Sequence, residues 1–255
     1  MEKEYYRDYY TLERNHWWFR ARKNILEAQV QRLFPNRANL KILNAGCATG
    51  YSSEWLMQYG EVSSLEYDAE CFAFTRDVVK IPIVQGSITE LPFEDNQFDL
   101  VVAFDVVEHV ENDVLAVQEM QRVAKPGGTV FISVPAFNFL WSNHDEVNHH
   151  FRRYKMVTLS KTFSKSTLKH FYTSYFNTFL FIPVAAFRLT GNLIQKIKYG
   201  NNQKIYDEHS NDLTVGKGNF VSKILFSIFN AENIFLRKGF NFPFGISIMA
   251  VYKKL

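Results

Sequence analysis

Along the chain, apolar and polar positions follow two rhythms. Between Leu40 and Pro135, short apolar runs alternate with longer amphipathic stretches. "KILNA", "VSSLEY", "IPIVQG", "FDLVVAFD" and "GTVFISVP" are brief, rich in β-branched or aromatic residues and bounded by turn formers, which predicts strands. "TGYSSEWLMQYG", "AECFAFTRDVV" and "NDVLAVQEMQRVAK" lie between them and read as helices. This alternation predicts βαβ units and a mostly parallel sheet. "KPGG" (Lys125 to Gly128) predicts a stop and a turn before the fifth strand, and "FGISIMAVYKK" predicts a last apolar strand.

The flanks differ. Residues 1–36 are helical and aromatic in pattern and end at Pro35 and Asn36. After Pro135, "AFNFLWSNHDEVNHHFRRYKM" is rich in His, Arg and aromatics. Two Phe-rich segments near 175–197 and 217–238 read as helices, separated by the polar stretch "YGNNQKIYDEHSNDLT". The expected organisation is therefore a helical cap (1–36), a core (37–170), a Phe-rich helical insertion (171–243) and a final strand returning to the core sheet (244–255).

Composition narrows the picture. With 255 residues, 47% of them hydrophobic, the chain can bury an extensive core. A net charge of +3 does not argue for nucleic acid as a partner. Cys47 and Cys71 make no disulfide framework, and "MEKEYYRDYY" lacks the form of a signal peptide, so a cytoplasmic location is expected. No apolar run reaches the roughly 18 residues of a spanning helix. The Phe-rich segments predict one of two things: contact with the inner face of a membrane or a lipid-linked substrate, or packing against each other, the sheet or a homodimer partner.

The chemistry starts at "KILNAGCATG". A glycine turn between a strand and a helix lets backbone approach a ligand, and the helix offers free N–H groups. Gly46 and Gly50 meet that need. Twenty residues beyond Gly46, Glu66 closes "VSSLE", where an acid accepts from ribose hydroxyls. A dinucleotide site requires G-x-G-x-x-G, and G-x-A-x-G does not have that spacing.

The turn resembles motif I of the class I S-adenosylmethionine-dependent methyltransferases. "SLEYDAECFAFTR", "VQGSITELPFEDNQFDLVVAFDVVEHV" and "LAVQEMQRVAKPGGTVFISVPAF" continue the resemblance over roughly Lys41 to Phe137. "HWWFRARKNIL", "LWSNHDEVNHHFRRY" and "FPFGISIMAVYKK" are similar to a bacterial subgroup associated with small-molecule, glycan or lipid-linked substrates, akin to ubiquinone-biosynthesis methyltransferases. The resemblance implies an α/β fold: a Rossmann-like, seven-stranded, mostly parallel sheet with helices on both faces. It implies S-adenosylmethionine as cofactor, held by Asn44, Gly46, Cys47, Gly50, Glu66, Tyr67, Ser87, Ile88 and Phe104, with Tyr67 and Ile88 forming an apolar wall for adenine. Three positions depart from the family pattern. Asn44 stands where an acid is usual, Ser87 where an Asp is usual, and Ala48 replaces a glycine, which suits a turn without positive φ there.

"DVVEH" sets Asp105, Glu108 and His109 at helical spacing. Two oxygens and one nitrogen are an incomplete metal shell, so no metal is expected. "HDEVNHHFRRY" follows the fifth strand, where this fold places substrate loops. His150, His144 and His109, in that order, are the candidates to take an acceptor's proton. Arg152, Arg153 and Tyr154 are candidate substrate contacts, as are Trp17 and Arg22 from the cap. Two other readings remain open: a nicotinamide oxidoreductase, and an inactive S-adenosylmethionine-binding interaction protein.

Overall fold

The computed structural model describes residues 3–35, 39–199 and 219–255. The polar stretch expected as a loop lies almost wholly outside them, as do Lys217 and the side chains of Lys196 and Lys198. Two helices, α1 (Lys3–Asn15) and α2 (Trp17–Leu33), open the chain within the span read as helical. His16 makes the break: its Nδ1 accepts from the Trp18 N–H at 3.3 Å and caps α2. Then β1 (Leu40–Ala45), α3 (Tyr51–Leu56), β2 (Gly60–Glu66), α4 (Ala69–Val78), β3 (Ile83–Gln85), β4 (Phe98–Phe104), α5 (Asp113–Val123) and β5 (Ala124–Pro135) follow the predicted alternation. Beyond them come α6 (Asn143–Val147), α7 (Met156–Thr162), β6 (Lys169–Phe176), α8 (Phe181–Tyr199), α9 (Asn219–Ala231), α10 (Asn233–Leu236) and β7 (Ser247–Lys253).

One seven-stranded sheet has the order β3-β2-β1-β4-β5-β7-β6. β1 to β5 are parallel, and β7 runs antiparallel to both β5 and β6. The order reverses between β1 and β4, which places a ligand crevice outside the carboxyl ends of those strands. The Lys125–Gly128 turn is real but sits inside β5. Ala124 pairs with Phe98 and Thr129 with Leu100, so the four residues between them loop out of register.

β6 corrects the expected insertion. It crosses the 170/171 boundary, so the insertion proper is α8 to α10. The alternation of "KHFYTSYF" is broken by a bulge between His170 and Tyr172, and that irregularity hides the strand in the pattern. Nor does each segment have a core of its own. Ile25 and Val30 of α2, Phe229 of α9 and Leu236 of α10 sit in the same apolar cluster as the strand residues. Polar contacts reinforce the joint. Asn24 donates to Asn230 Oδ1 at 3.0 Å, and buried Gln29 donates to the Leu236 carbonyl at 3.0 Å.

Glu232, between α9 and α10, is fully buried and accepts from the Phe179 N–H at 2.7 Å, while its Oε2 has no partner. Desolvation pushes its pKa up to about 7. Because the folded value lies above the unfolded one, the stabilising contribution is complete below about pH 4.5 and is lost as pH rises through about 7. Glu13, also raised to about 7 by burial, adds a similar slope. Chemical denaturation between pH 5 and 8 should therefore show stability falling, by up to about 3 kcal/mol per group. Glu232→Gln, which holds a neutral side chain at every pH, should remove roughly half of that slope. An unchanged slope in the variant would assign it elsewhere.

Candidate active site

The cofactor candidates gather at the carboxyl ends of β1 to β4. Gly46 has φ +96°, and a Cβ there would meet Val106 Cγ2 at 2.5 Å, so the turn admits only glycine at that point. The Gly46 and Cys47 N–H groups both donate to the Leu65 carbonyl at 2.9 Å. Glu66 then ties the two turns together, accepting from the Ala48 N–H at 2.9 Å and the Asp68 N–H at 3.0 Å. Desolvation raises its pKa despite these bonds.

Ala48 departs from expectation: its φ is +46°. A left-handed non-glycine backbone costs about 1 kcal/mol. Here the Ala48 N–H bond to Glu66 and a Thr75 hydroxyl bond to the Ala48 carbonyl at 2.8 Å hold it. Asn44 is fully buried, and its Nδ2 donates to Ser52 and Ser53 Oγ, each at 2.8 Å. Its Oδ1 has no partner, leaving a desolvated acceptor at the turn, which suits the ammonium of an amino-acid moiety. Cys47 is buried, and desolvation pushes its thiol up, away from nucleophilic use. Ser87 bonds its neighbour Thr89 at 2.7 Å, Ile88 is buried, and Phe104 stacks on Trp55 at 6.0 Å. Tyr67 is 77% exposed beside the end of β2.

α1 touches these turns through three side chains. Thr49 donates to Glu13, the Arg14 guanidinium donates to the Thr49 carbonyl at 3.2 Å, and Tyr6 donates to Asp68 at 2.7 Å. Arg22 is held differently from the expectation of a substrate contact. It pairs with Asp105 at 2.7 Å and donates to Ser133 Oγ at 3.1 Å, pinning α2 to the ends of β4 and β5. Trp17 is partly buried against the core.

The three candidate histidines converge. The His109 and His150 rings meet edge-to-face at 4.5 Å, and the His144 ring lies 6.0 Å from that of His150. Asp145 organises them. It is fully buried and accepts from Arg153 Nε at 2.7 Å and Nη2 at 2.9 Å, from the Ser142 N–H at 2.8 Å and from His150 Nδ1 at 2.8 Å. The Arg153 and His150 contacts hold its carboxyl well below the usual carboxylate range against the cost of burial. An ionised Asp145 fixes the proton of His150 on Nδ1, which leaves Nε2 to accept one. Desolvation and His150 together lower His109 to about 4, so His109 stays neutral although part of it is exposed.

Two substrate candidates are corrected. Arg153 is buried and engaged by Asp145 and the Ala136 carbonyl. Tyr154 is 2% exposed and donates to Asp113 at 2.9 Å. Both shape the loop from within. Arg152 reaches the surface but pairs with Asp113 at 3.1 Å and bonds the Glu111 carbonyl at 2.7 Å. Asp145 itself had no assigned role in the sequence, because its partners lie five and eight residues away, outside helical spacing. The no-metal expectation also needs qualifying. One ligand atom from each of Glu108, His109 and His150 lies within 4.8 Å of the other two. Glu108 is fully buried with both carboxylate oxygens unpartnered, and burial raises its pKa well above the usual carboxylate range.

The sheet order, the glycine turn and the acid ending β2 define an α/β domain that binds a nucleoside cofactor. Residues 43–132 match the family described as "Methyltransferase domain". A probable S-adenosylmethionine-dependent methyltransferase of Mycolicibacterium smegmatis is 34% identical over 126 residues, which are 49% of this chain and 48% of that protein. A demethylmenaquinone methyltransferase of Staphylococcus aureus is 32% identical over 105 residues, 37% of this chain and 42% of that one. The chain thus spans about half the length, or less, of these curated relatives. The structure of an S-adenosylmethionine-dependent methyltransferase from Mesorhizobium loti superposes with a TM-score of 0.54 at 12% identity, covering 89% of this chain and 96% of that one, a likeness of fold. Residues 43–132 of this chain are thus a methyltransferase domain, similar to relatives named as S-adenosylmethionine-dependent. The oxidoreductase alternative finds no support.

Proposed function

We propose that this chain methylates a small-molecule or lipid-linked acceptor, working in the cytoplasm or at the inner face of a membrane, with His150 as the general base. The observation that carries the reading is the Arg153–Asp145–His150 chain beside the end of β4, which aligns one imidazole and fixes its tautomer. S-adenosylmethionine, when bound, supplies a methyl group on a positively charged sulfur. Asn44 Oδ1, the Gly46 turn and Glu66 would hold it, and α1 would exclude water from one side. His150 Nε2 takes the proton that an O–H or N–H acceptor loses, and Asp145 stabilises the imidazolium that results. That the Staphylococcus aureus relative is named a demethylmenaquinone methyltransferase supports a small or lipid-linked acceptor.

Glu66→Ala should weaken S-adenosylmethionine binding by about 1.5–3 kcal/mol, or about 10–150-fold, because two ribose hydroxyls lose a charged acceptor. Titration calorimetry reads this directly. Heat from NAD and none from S-adenosylmethionine would overturn the cofactor assignment. A second reading rests on the unpartnered Glu108: Glu108, His109 and His150 would chelate a divalent ion that orients the acceptor. Turnover abolished by a chelator and restored by magnesium, with cofactor affinity unchanged, would favour it over the base.

A further inference from the structure

We infer that α8 and α9 form a docking face for an anionic bilayer, and that α8 carries the acceptor's apolar tail from that surface toward the histidine loop. This deepens the methyl-transfer reading and rests on it for the acceptor. The docking itself does not.

α8 and α9 leave apolar side chains outside. α8 meets the protein through one stripe, in which Ala185 and Arg188 are buried and Phe181 and Val184 are half-buried. Beyond it, every residue from Leu189 to Ile194 is exposed. Ile182 is 75% and Ile197 76% exposed. α9 packs on α2 through Leu225, Phe226 and Phe229, yet its opposite stripe of Phe220, Ile224 and Ile228 faces out, with Phe220 77% exposed. Burial of these faces within the chain, one of the two expectations, therefore accounts for only one side of each helix. Among the described residues no helix is long and apolar enough to cross a membrane. An apolar face that cannot span suits a helix lying in the interface.

Charge selects the occupant. Glu232, the acid between α9 and α10, is fully buried. Cations are interleaved with the exposed apolar positions of α9 and α10: Lys223 lies between Phe220 and Ile224, and Arg237 and Lys238 follow Ile234 and Phe235. A surface with exposed apolar groups and interleaved cations complements anionic headgroups. A second copy of the same face would set like charges against each other, which disfavours self-association through it.

The face is wired to the loop that bears the histidines. Arg188 donates to the Leu140 carbonyl at 3.1 Å, and Asn192 donates to the Trp141 carbonyl at 2.8 Å. These carbonyls lead directly into α6, which carries His144 and Asp145. Aromatic rings bridge the same gap. Phe181 of α8 meets Phe244 at 5.3 Å, Phe139 at 6.4 Å and Phe137 at 5.9 Å, and Phe139 and Phe244 are themselves exposed. An acyl or polyprenyl chain drawn from the bilayer would find continuous apolar contact along these rings.

The test is co-sedimentation of the whole protein with vesicles of phosphatidylcholine alone and with about 30% phosphatidylglycerol, at low and high salt. The expected result is binding to the anionic vesicles only, weakened by salt. Replacing exposed Ile194, Ile197 and Phe220 together by serine should lower the partition coefficient roughly tenfold or more. Those side chains are exposed, so thermal unfolding and S-adenosylmethionine calorimetry should be unchanged, and a loss of cofactor binding in the wild type would count against the methyl-transfer reading alone. Wild-type protein left in the supernatant at low salt, or bound equally to neutral and anionic vesicles, overturns the inference. So does light scattering that shows a wild-type dimer made monomeric by the serine variant, because a second copy would then cover the face.

Discussion

His150→Ala is expected to lower methyl-transfer turnover by about 10²–10⁴-fold while S-adenosylmethionine affinity stays within about twofold. The His150 Nδ1 is held by an ionised, fully buried carboxylate, so its Nε2 is aimed by the protein and not by solvent. His144→Ala removes a neighbour whose ring is 6.0 Å away and should cost less. The measurement is the rate of S-adenosylhomocysteine release at saturating cofactor, with phenolic and polyprenyl-phenolic compounds as probe acceptors. Wild-type turnover in the His150 variant would remove the base from this site. A parallel drop in cofactor affinity would place His150 in cofactor binding.

The largest stability effect should come from Asp145→Ala. The substitution removes the two bonds that Arg153 makes to Asp145, and Arg153 is itself buried. Leaving one member of a buried ion pair without its partner costs about 3–5 kcal/mol. Asp145→Ala combined with Arg153→Met should cost less than Asp145→Ala alone, because no buried charge is then left unpaired. Urea unfolding of the two single variants and the double variant measures the coupling. Costs that simply add would mean that the two groups do not act as a unit.

The cofactor half of the site was legible in the sequence because its determinants are local. A glycine turn, a strand either side of it and an acid twenty residues on are all readable along the chain, and Gly46 and Glu66 stand where that reading put them. What escaped was whatever depends on distant pairing or on a broken period. β6 was hidden by its bulge beside Phe171. The positive φ of Ala48 follows from how Glu66 and Thr75 grip the turn, and neither contact is visible in a run of letters. Arg153 and Tyr154 looked like surface groups for a substrate because they lie in a charged stretch. They turn inward because Asp145 and Asp113 wait there. The same folding-back explains why three histidines spread from position 109 to 150 share one place.

The threading of the sheet has a consequence for synthesis on the ribosome. β5 is paired on one side with β4, but its other neighbour is β7, which follows only after α8, α9 and α10. Until Ser247–Lys253 has emerged, the nascent protein presents the full length of an apolar central strand as an open edge. α2 waits equally long for α9 and α10, which cover its apolar side from about two hundred residues away. The cofactor-binding strands can therefore assemble early, but they do so beside an unfinished edge that will recruit any extended chain nearby. Emergence of β7, rather than formation of the glycine turn, is what closes that edge, and a chain truncated before Ser247 should aggregate even though every group named at the site has already been made.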